Sequence, residues 1–114
     1  MSKRIYISPN WAFHDDSGQA LNPQLFTLLS GIKQTGKLTK AAALSNISYR
    51  HGWNLLDQAR KFFDSQVVYL EKGRGATLSP LGEKLLWAEQ RVAARLKPQM
   101  ENLASELNIE IHKE

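Results

Sequence analysis

The chain has 114 residues, enough for one domain with a modest core and an extended arm, and its apolar share of 42% is ordinary for a soluble globular protein. It has no cysteine, which excludes a disulfide framework, a thiolate metal site and a Cys nucleophile and fits a reducing, cytoplasmic setting. The net charge is +4, the opening MSKRIYISPNW lacks the apolar stretch of a signal peptide, and no apolar run approaches the roughly 20 residues that span a bilayer, so no membrane partner is expected.

Residues 1–21 read as N-terminal strands. RIYI is β-prone, Pro9-Asn10 breaks it, and Trp11 to His14 alternates large apolar with small or polar residues. Asp15-Asp16-Ser17-Gly18 has turn chemistry, and Gln19 to Leu21 is the returning strand of a hairpin. Asp15 and Asp16 would otherwise make a carboxylate pair for metal or acid–base work, but no second cluster of ligands accompanies them. Asn22-Pro23 then opens a helix, with Asn as cap and Pro at the first helical position. Leu25, Leu28, Leu29 and Ile32 give it an apolar face, and Gly36 suits a left-handed C-cap.

A short alanine-rich helix follows at about Leu38 to Leu44, then a turn at Ser45-Asn46-Ile47, then a helix from the N-cap Ser48 to about Phe63. Ala41, Ala42 and Ala43 let another helix approach closely, and Ile47 plugs the angle of the turn. Two helices across a tight turn are either an ordinary helical hairpin or a helix-turn-helix, whose second helix commonly enters the DNA major groove. Gly52, Leu55, Leu56, Ala59 and Phe63 make the buried face of that second helix. Its first turns carry Tyr49, Arg50, His51 and Asn54, where Arg50 suits guanine and Asn54 suits adenine. Trp53 is either a core or core-edge residue, which its size favours, or a DNA contact.

Gln66 to Leu70 is a strand, Glu71-Lys72-Gly73-Arg74-Gly75 a loop tipped by two cations, and Ala76 to Leu78 the returning strand. The loop lacks the length and the following Lys-Ser/Thr of a phosphate-binding P-loop. Ser79-Pro80 starts the last helix, where Leu81, Leu85, Ala88, Val92, Leu96, Met100, Leu103 and Leu107 recur at spacings of three or four. That stripe runs about 40 Å, longer than a domain this small can cover, so its far end meets a second subunit or folds back at Pro98. A kink is expected near Ala94 to Pro98. His14, His51 and His112 do not share a metal-ligand spacing, and no cofactor or metal is expected.

Eight of the fifteen Lys and Arg residues but three of the eleven Asp and Glu residues lie between Lys33 and Arg74. A positive surplus on the helix-turn-helix and its hairpin is either a solvated face or the footprint of a polyanion.

Gly36, Ala41, Ala42, Ile47-Ser48-Tyr49-Arg50, Trp53, the glycine-bearing loop Gly73 to Gly75, and Leu78-Ser79 with Gly82 together resemble the N-terminal winged-helix domain of the molybdate-responsive ModE regulators. They are similar, more distantly, to the DNA-binding domain of LysR-type regulators. The resemblance covers roughly Asn22 to Leu86. It implies a homodimeric, sequence-specific transcription regulator, with Ser48, Tyr49 and Arg50 opening the recognition helix and Arg74 in the wing. The wing is shorter than that of ModE, and the sequence stops at Glu114 where ModE continues into a molybdate-binding domain, so no molybdate is expected.

The expected fold is mainly α (α+β): N-terminal strands or hairpin over 1–21, a winged helix-turn-helix over 22–80, and a C-terminal dimerisation helix and tail over 81–114. The expected DNA contacts are Lys37, Thr39, Lys40, Ser48, Tyr49, Arg50, His51, Asn54, Lys72 and Arg74. The expected dimer interface is Leu85, Ala88, Val92, Leu96, Met100, Leu103 and Leu107. The alternative is a winged-helix module that docks an acidic protein partner. With no nucleophile–base pair, metal cluster or phosphate loop, enzymatic activity is not expected.

Overall fold

The computed structural model describes residues 3–113. Among them are four helices and one small antiparallel sheet: α1 (Gln24–Thr35), α2 (Leu38–Leu44), α3 (Tyr49–Phe63), β1 (Val68–Glu71), β2 (Gly75–Leu78) and α4 (Pro80–Ile111). Two compact units divide the chain. One is Ala12–Ala88; the other combines the residues up to Trp11 with those from Glu89 onward.

The core of the Ala12–Ala88 unit starts from α1. Leu25, Leu28, Leu29 and Ile32 are buried as their spacing requires, and Phe26 joins them against Phe13, with ring centroids 4.9 Å apart. The carboxamide of Asn22 accepts from the Gln24 N–H at 3.0 Å, and Gly36 closes the helix in the left-handed region with its N–H donated to the Ile32 carbonyl. α2 crosses α1 where side chains are smallest: a Cβ added at Gly31 would meet Ala41 at 3.0 Å. Ala41 and Ala42 are buried there, whereas Ala43 faces outward.

The residues before α1 depart from the expected strands. Asp15 to Gly18 is a turn, but its arms pair only through the isolated bridge His14↔Ala20, and residues 4–12 form no strand. The Asp15 carboxylate takes up the turn's free donors, accepting from Ser17 N–H and Oγ–H and from Gln19 N–H at 2.7–2.9 Å. The Ser17 hydroxyl, above all, holds this carboxyl below its ordinary pKa.

β1 and β2 pair from Val68↔Leu78 to Glu71↔Gly75. The hairpin is tied to the α1–α2 corner by the Ala76 N–H, which donates to the Gly36 carbonyl at 2.8 Å. Gly75 permits this approach: its φ is +98°, and a Cβ would lie 2.4 Å from the Gly36 oxygen. Ser79 links the sheet to α4. It donates its hydroxyl to the Gln66 carbonyl at 2.7 Å and accepts from the Gly82 N–H at 3.0 Å as the N-cap.

α4 has 32 residues and runs unbroken through Pro98, about 48 Å at 1.5 Å per residue. It does not fold back at Pro98. Its first turns complete the core: Leu85, 9% exposed, packs with α1 and α3 residues of its own unit. That removes Leu85 from the stripe expected to face a partner.

In the other unit the N-terminal segment is strapped to the C-terminal half of α4. The Asn108 carboxamide accepts from the Ile5 N–H at 2.8 Å and donates to the Ile5 carbonyl at 2.7 Å. One side chain thus replaces the strand partner that RIYI was expected to find. Trp11 Nε1 donates to Glu89 at 2.8 Å, and the His112 ring lies 3.1 Å from the Lys3 carbonyl.

Candidate nucleic-acid interface

The turn between α2 and α3 is built from backbone bonds. Asn46 takes the left-handed conformation at φ +56°, its N–H donates to the Ala43 carbonyl, and the Ile47 N–H reaches back to Ala42 at 3.0 Å. This double closure is a Schellman cap, with Ile47 half-buried against the core. α3 begins immediately: the Ser48 hydroxyl accepts from the His51 N–H at 3.0 Å. The backbone is therefore closed on both sides of the turn, and the start of α3 is fixed with Tyr49, Arg50 and Asn54 exposed. His51 is engaged elsewhere, its Nε2 lying 2.7 Å from the Gln24 side-chain oxygen on α1. The Ser48 hydroxyl accepts the cap bond and keeps its own O–H to donate.

The basic surplus separates into paired and unpaired groups. Lys33 pairs with Glu83 at 2.7 Å, and Arg60 and Lys61 both pair with Asp57, at 3.0 and 3.1 Å. The Asp57 carboxyl is held below its ordinary pKa, first by the Arg60 hydrogen bond and then by Lys61. Arg74 is 3.8 Å from Glu71 across an exposed loop, a contact of little strength. Among the described residues, Lys37, Lys40, Arg50 and Lys72 pair with no acid. All four are exposed, on α2 and its N-cap, the first turn of α3, and the hairpin loop.

A crevice of about 670 Å³ lies between α3 and the hairpin. Tyr49 and Trp53 of α3 line it with Leu38 and Thr39 of α2 and Leu70 of β1, and the cations Lys37, Lys72 and Arg74 line it too. Trp53 is 44% exposed, which rules out a buried core position and leaves the core edge or a DNA contact. The signal that points to the surface is its spacing from Tyr49: residues four apart share a helix face, and Tyr49 is exposed as well. Leu38 and Leu70 gave no functional signal, because a single leucine reads as core.

Of the residues expected at a subunit interface, Val92, Leu96 and Met100 are half-buried and Leu103 and Leu107 are exposed. Ile111 continues their spacing and is exposed too. Among the described residues no three His, Asp or Glu side chains come together as metal ligands, and no helix is long and apolar enough to cross a membrane.

No protein-family model matches the chain. It is 26% identical over 98 residues to the molybdenum-pterin-binding protein MopB of Rhodobacter capsulatus, an overlap covering 82% of this chain and 36% of MopB. It is 32% identical over 75 residues to the molybdenum transport protein ModE of Herbaspirillum seropedicae, covering 60% of this chain and 28% of that protein. The chain thus spans about a third of the length of these relatives. It shows weak, partial homology to ModE-type and molybdenum-binding proteins, compatible with the resemblance read from the sequence.

Proposed function

We propose that this chain is a ModE-like, LysR-related winged helix-turn-helix protein that binds duplex DNA sequence-specifically as a homodimer and regulates transcription in the cytoplasm. Residues 22–80 make the DNA contacts and residues 81–114 pair the subunits. α3 enters the major groove, with Arg50 and Asn54 facing base edges; Lys37, Thr39 and Lys40 meet the backbone beside it, and Lys72 and Arg74 of the wing meet the flanking backbone or minor groove. The observation that carries this reading is the set of exposed cations without acidic partners, Lys37, Lys40, Arg50 and Lys72, spread over α2, the start of α3 and the hairpin loop. Phosphates are the counter-charge such a surface lacks. The partial likeness to ModE-type proteins supports the same reading. Molybdenum binding is not part of the proposal.

Pairing of two subunits along Leu96, Met100, Leu103 and Leu107 would set the two recognition helices about one DNA turn, roughly 34 Å, apart and select an inverted repeat. The test is titration of a selected duplex with Arg50→Ala and Lys72→Ala. Arg50→Ala should cost about 1–3 kcal/mol and relax specificity at one base pair. Lys72→Ala should weaken binding to every sequence alike and lower the dependence on salt. An Arg50→Ala protein that binds its site as tightly as the parent would refute the placement of α3. Failure to bind any duplex at low salt would leave the basic face to an acidic protein partner.

A further inference from the structure

We infer that the crevice between α3 and the hairpin grips one sugar–phosphate strand of the duplex, with the Tyr49 and Trp53 rings packed on deoxyribose and Lys37, Lys72 and Arg74 on the adjoining phosphates. The inference rests on the DNA-binding reading and adds a contact whose chemistry differs from that of Arg50. Two large aromatic side chains on one helix face stand 49% and 44% exposed, beside an exposed Leu70, in a crevice shared with three cations and one acid, Glu71. An apolar wall flanked by positive charge matches the two components of a nucleic-acid strand, an apolar sugar edge and its phosphates. Among the described residues, no group takes the Trp53 Nε1–H or the Tyr49 hydroxyl, so both polar tips are available to phosphate oxygens. The bases of an intact duplex are stacked and turned inward, so the aromatic rings meet sugar rather than a base face.

This assignment gives Trp53 a signature that neither the base contact of Arg50 nor the phosphate contacts of the cations share. Its removal takes away apolar contact and no charge, so affinity falls while the salt dependence stays the same. It touches no base edge, so the loss is equal for the operator and for random sequence. In fluorescence-anisotropy titrations at several salt concentrations, Trp53→Ala should bind a selected operator duplex and a random-sequence duplex about tenfold more weakly, the size of one buried apolar side chain. The slope of log K against log salt should match the parent, and Trp53→Phe should recover most of the affinity. In the full chain labelled with 5-fluorotryptophan, the fluorine resonance lost in Trp53→Phe should shift when duplex is added.

Parent affinity in Trp53→Ala, or an unmoved Trp53 resonance while duplex binds, would overturn the inference and leave the DNA-binding reading standing. So would a loss confined to the operator, which marks a base contact, or a greater loss on single-stranded DNA, which marks base stacking. A parent protein that binds no duplex would refute both.

Discussion

The two compact units are held together by different physics. Ala12–Ala88 is an apolar core: leucines and alanines of α1, α2 and α3 close on Val67, Val68, Ala76 and Leu85. The other unit, among its described residues, buries only Ala104 and Asn108. Its N-terminal segment is held by polar clasps, Asn108 on Ile5, Trp11 on Glu89 and His112 near Lys3, while Leu103, Leu107 and Ile111 stand exposed. The first unit closes an apolar core of its own and leaves Tyr49, Trp53 and Leu70 exposed at the crevice. Among its described residues the second carries a row of exposed apolar side chains, the feature on which the homodimer proposal draws.

The contrast breaks most visibly where that row is made polar. Leu103→Asp combined with Leu107→Asp removes two apolar contacts, each about 1.5–3 kcal/mol. On the homodimer proposal, dimer dissociation should rise roughly a hundredfold or more in sedimentation equilibrium. An unchanged dimer would place the interface elsewhere. The core-based unit is sensitive to volume instead. A Cβ at Gly82 would sit 2.1 Å from the Val67 carbonyl, so Gly82→Ala should cost about 1–3 kcal/mol in urea unfolding. A neutral result would mean that α4 and the strand entry move apart without cost.

The polar clasp is weaker. Asn108→Ala removes both bonds to Ile5 and should cost about 1–2 kcal/mol, since each net hydrogen bond is modest and the freed Ile5 groups can meet water. The Ile5 amide should lose its protection in hydrogen exchange; retained protection would show that the segment is held without Asn108. The smallest effect is acid sensitivity. Asp57 and Asp15 both have lowered carboxyl pKa values in the fold, the first through Arg60 and the second through Ser17. Their contribution is present above the ordinary value of 3.8 and is lost as pH falls through the lower folded values. Stability should therefore decline below about pH 4, and Asp57→Asn should flatten that decline in denaturant titrations.

What the sequence revealed follows from the range of the interaction involved. Local signals were sound: the Ser48 and Ser79 caps, the Gly36 terminus, the leucine face of α1 and the hairpin with its cationic tip all lie where spacing and cap chemistry put them. The N-terminal strands were misread because the partner of Ile5 is Asn108, a side chain on a distant helix, and no local pattern announces such a pairing. Leu85 was assigned to a partner because one stripe on α4 serves two purposes, core at its start and exposed surface near its end. The cations on α2, α3 and the hairpin that the structure leaves exposed and without acidic partners, Lys37, Lys40, Arg50 and Lys72, are among the residues named from charge and position. Trp53 was harder to read: its size argues for burial, its spacing from Tyr49 puts both on one face of α3, and only the tertiary fold sets that face at the crevice. The His51 ring lies 2.7 Å from the Gln24 side-chain oxygen of α1, a contact that spacing along α3 does not show.

The most direct test of the central claim is in vitro selection of duplexes from a random pool by the intact protein, with the winners titrated at two salt concentrations. The account predicts an enriched inverted repeat with half-sites about one helical turn apart, bound far more tightly than unselected duplex. Binding that is steeply salt-dependent but enriches no motif, or no binding at low salt, would contradict it.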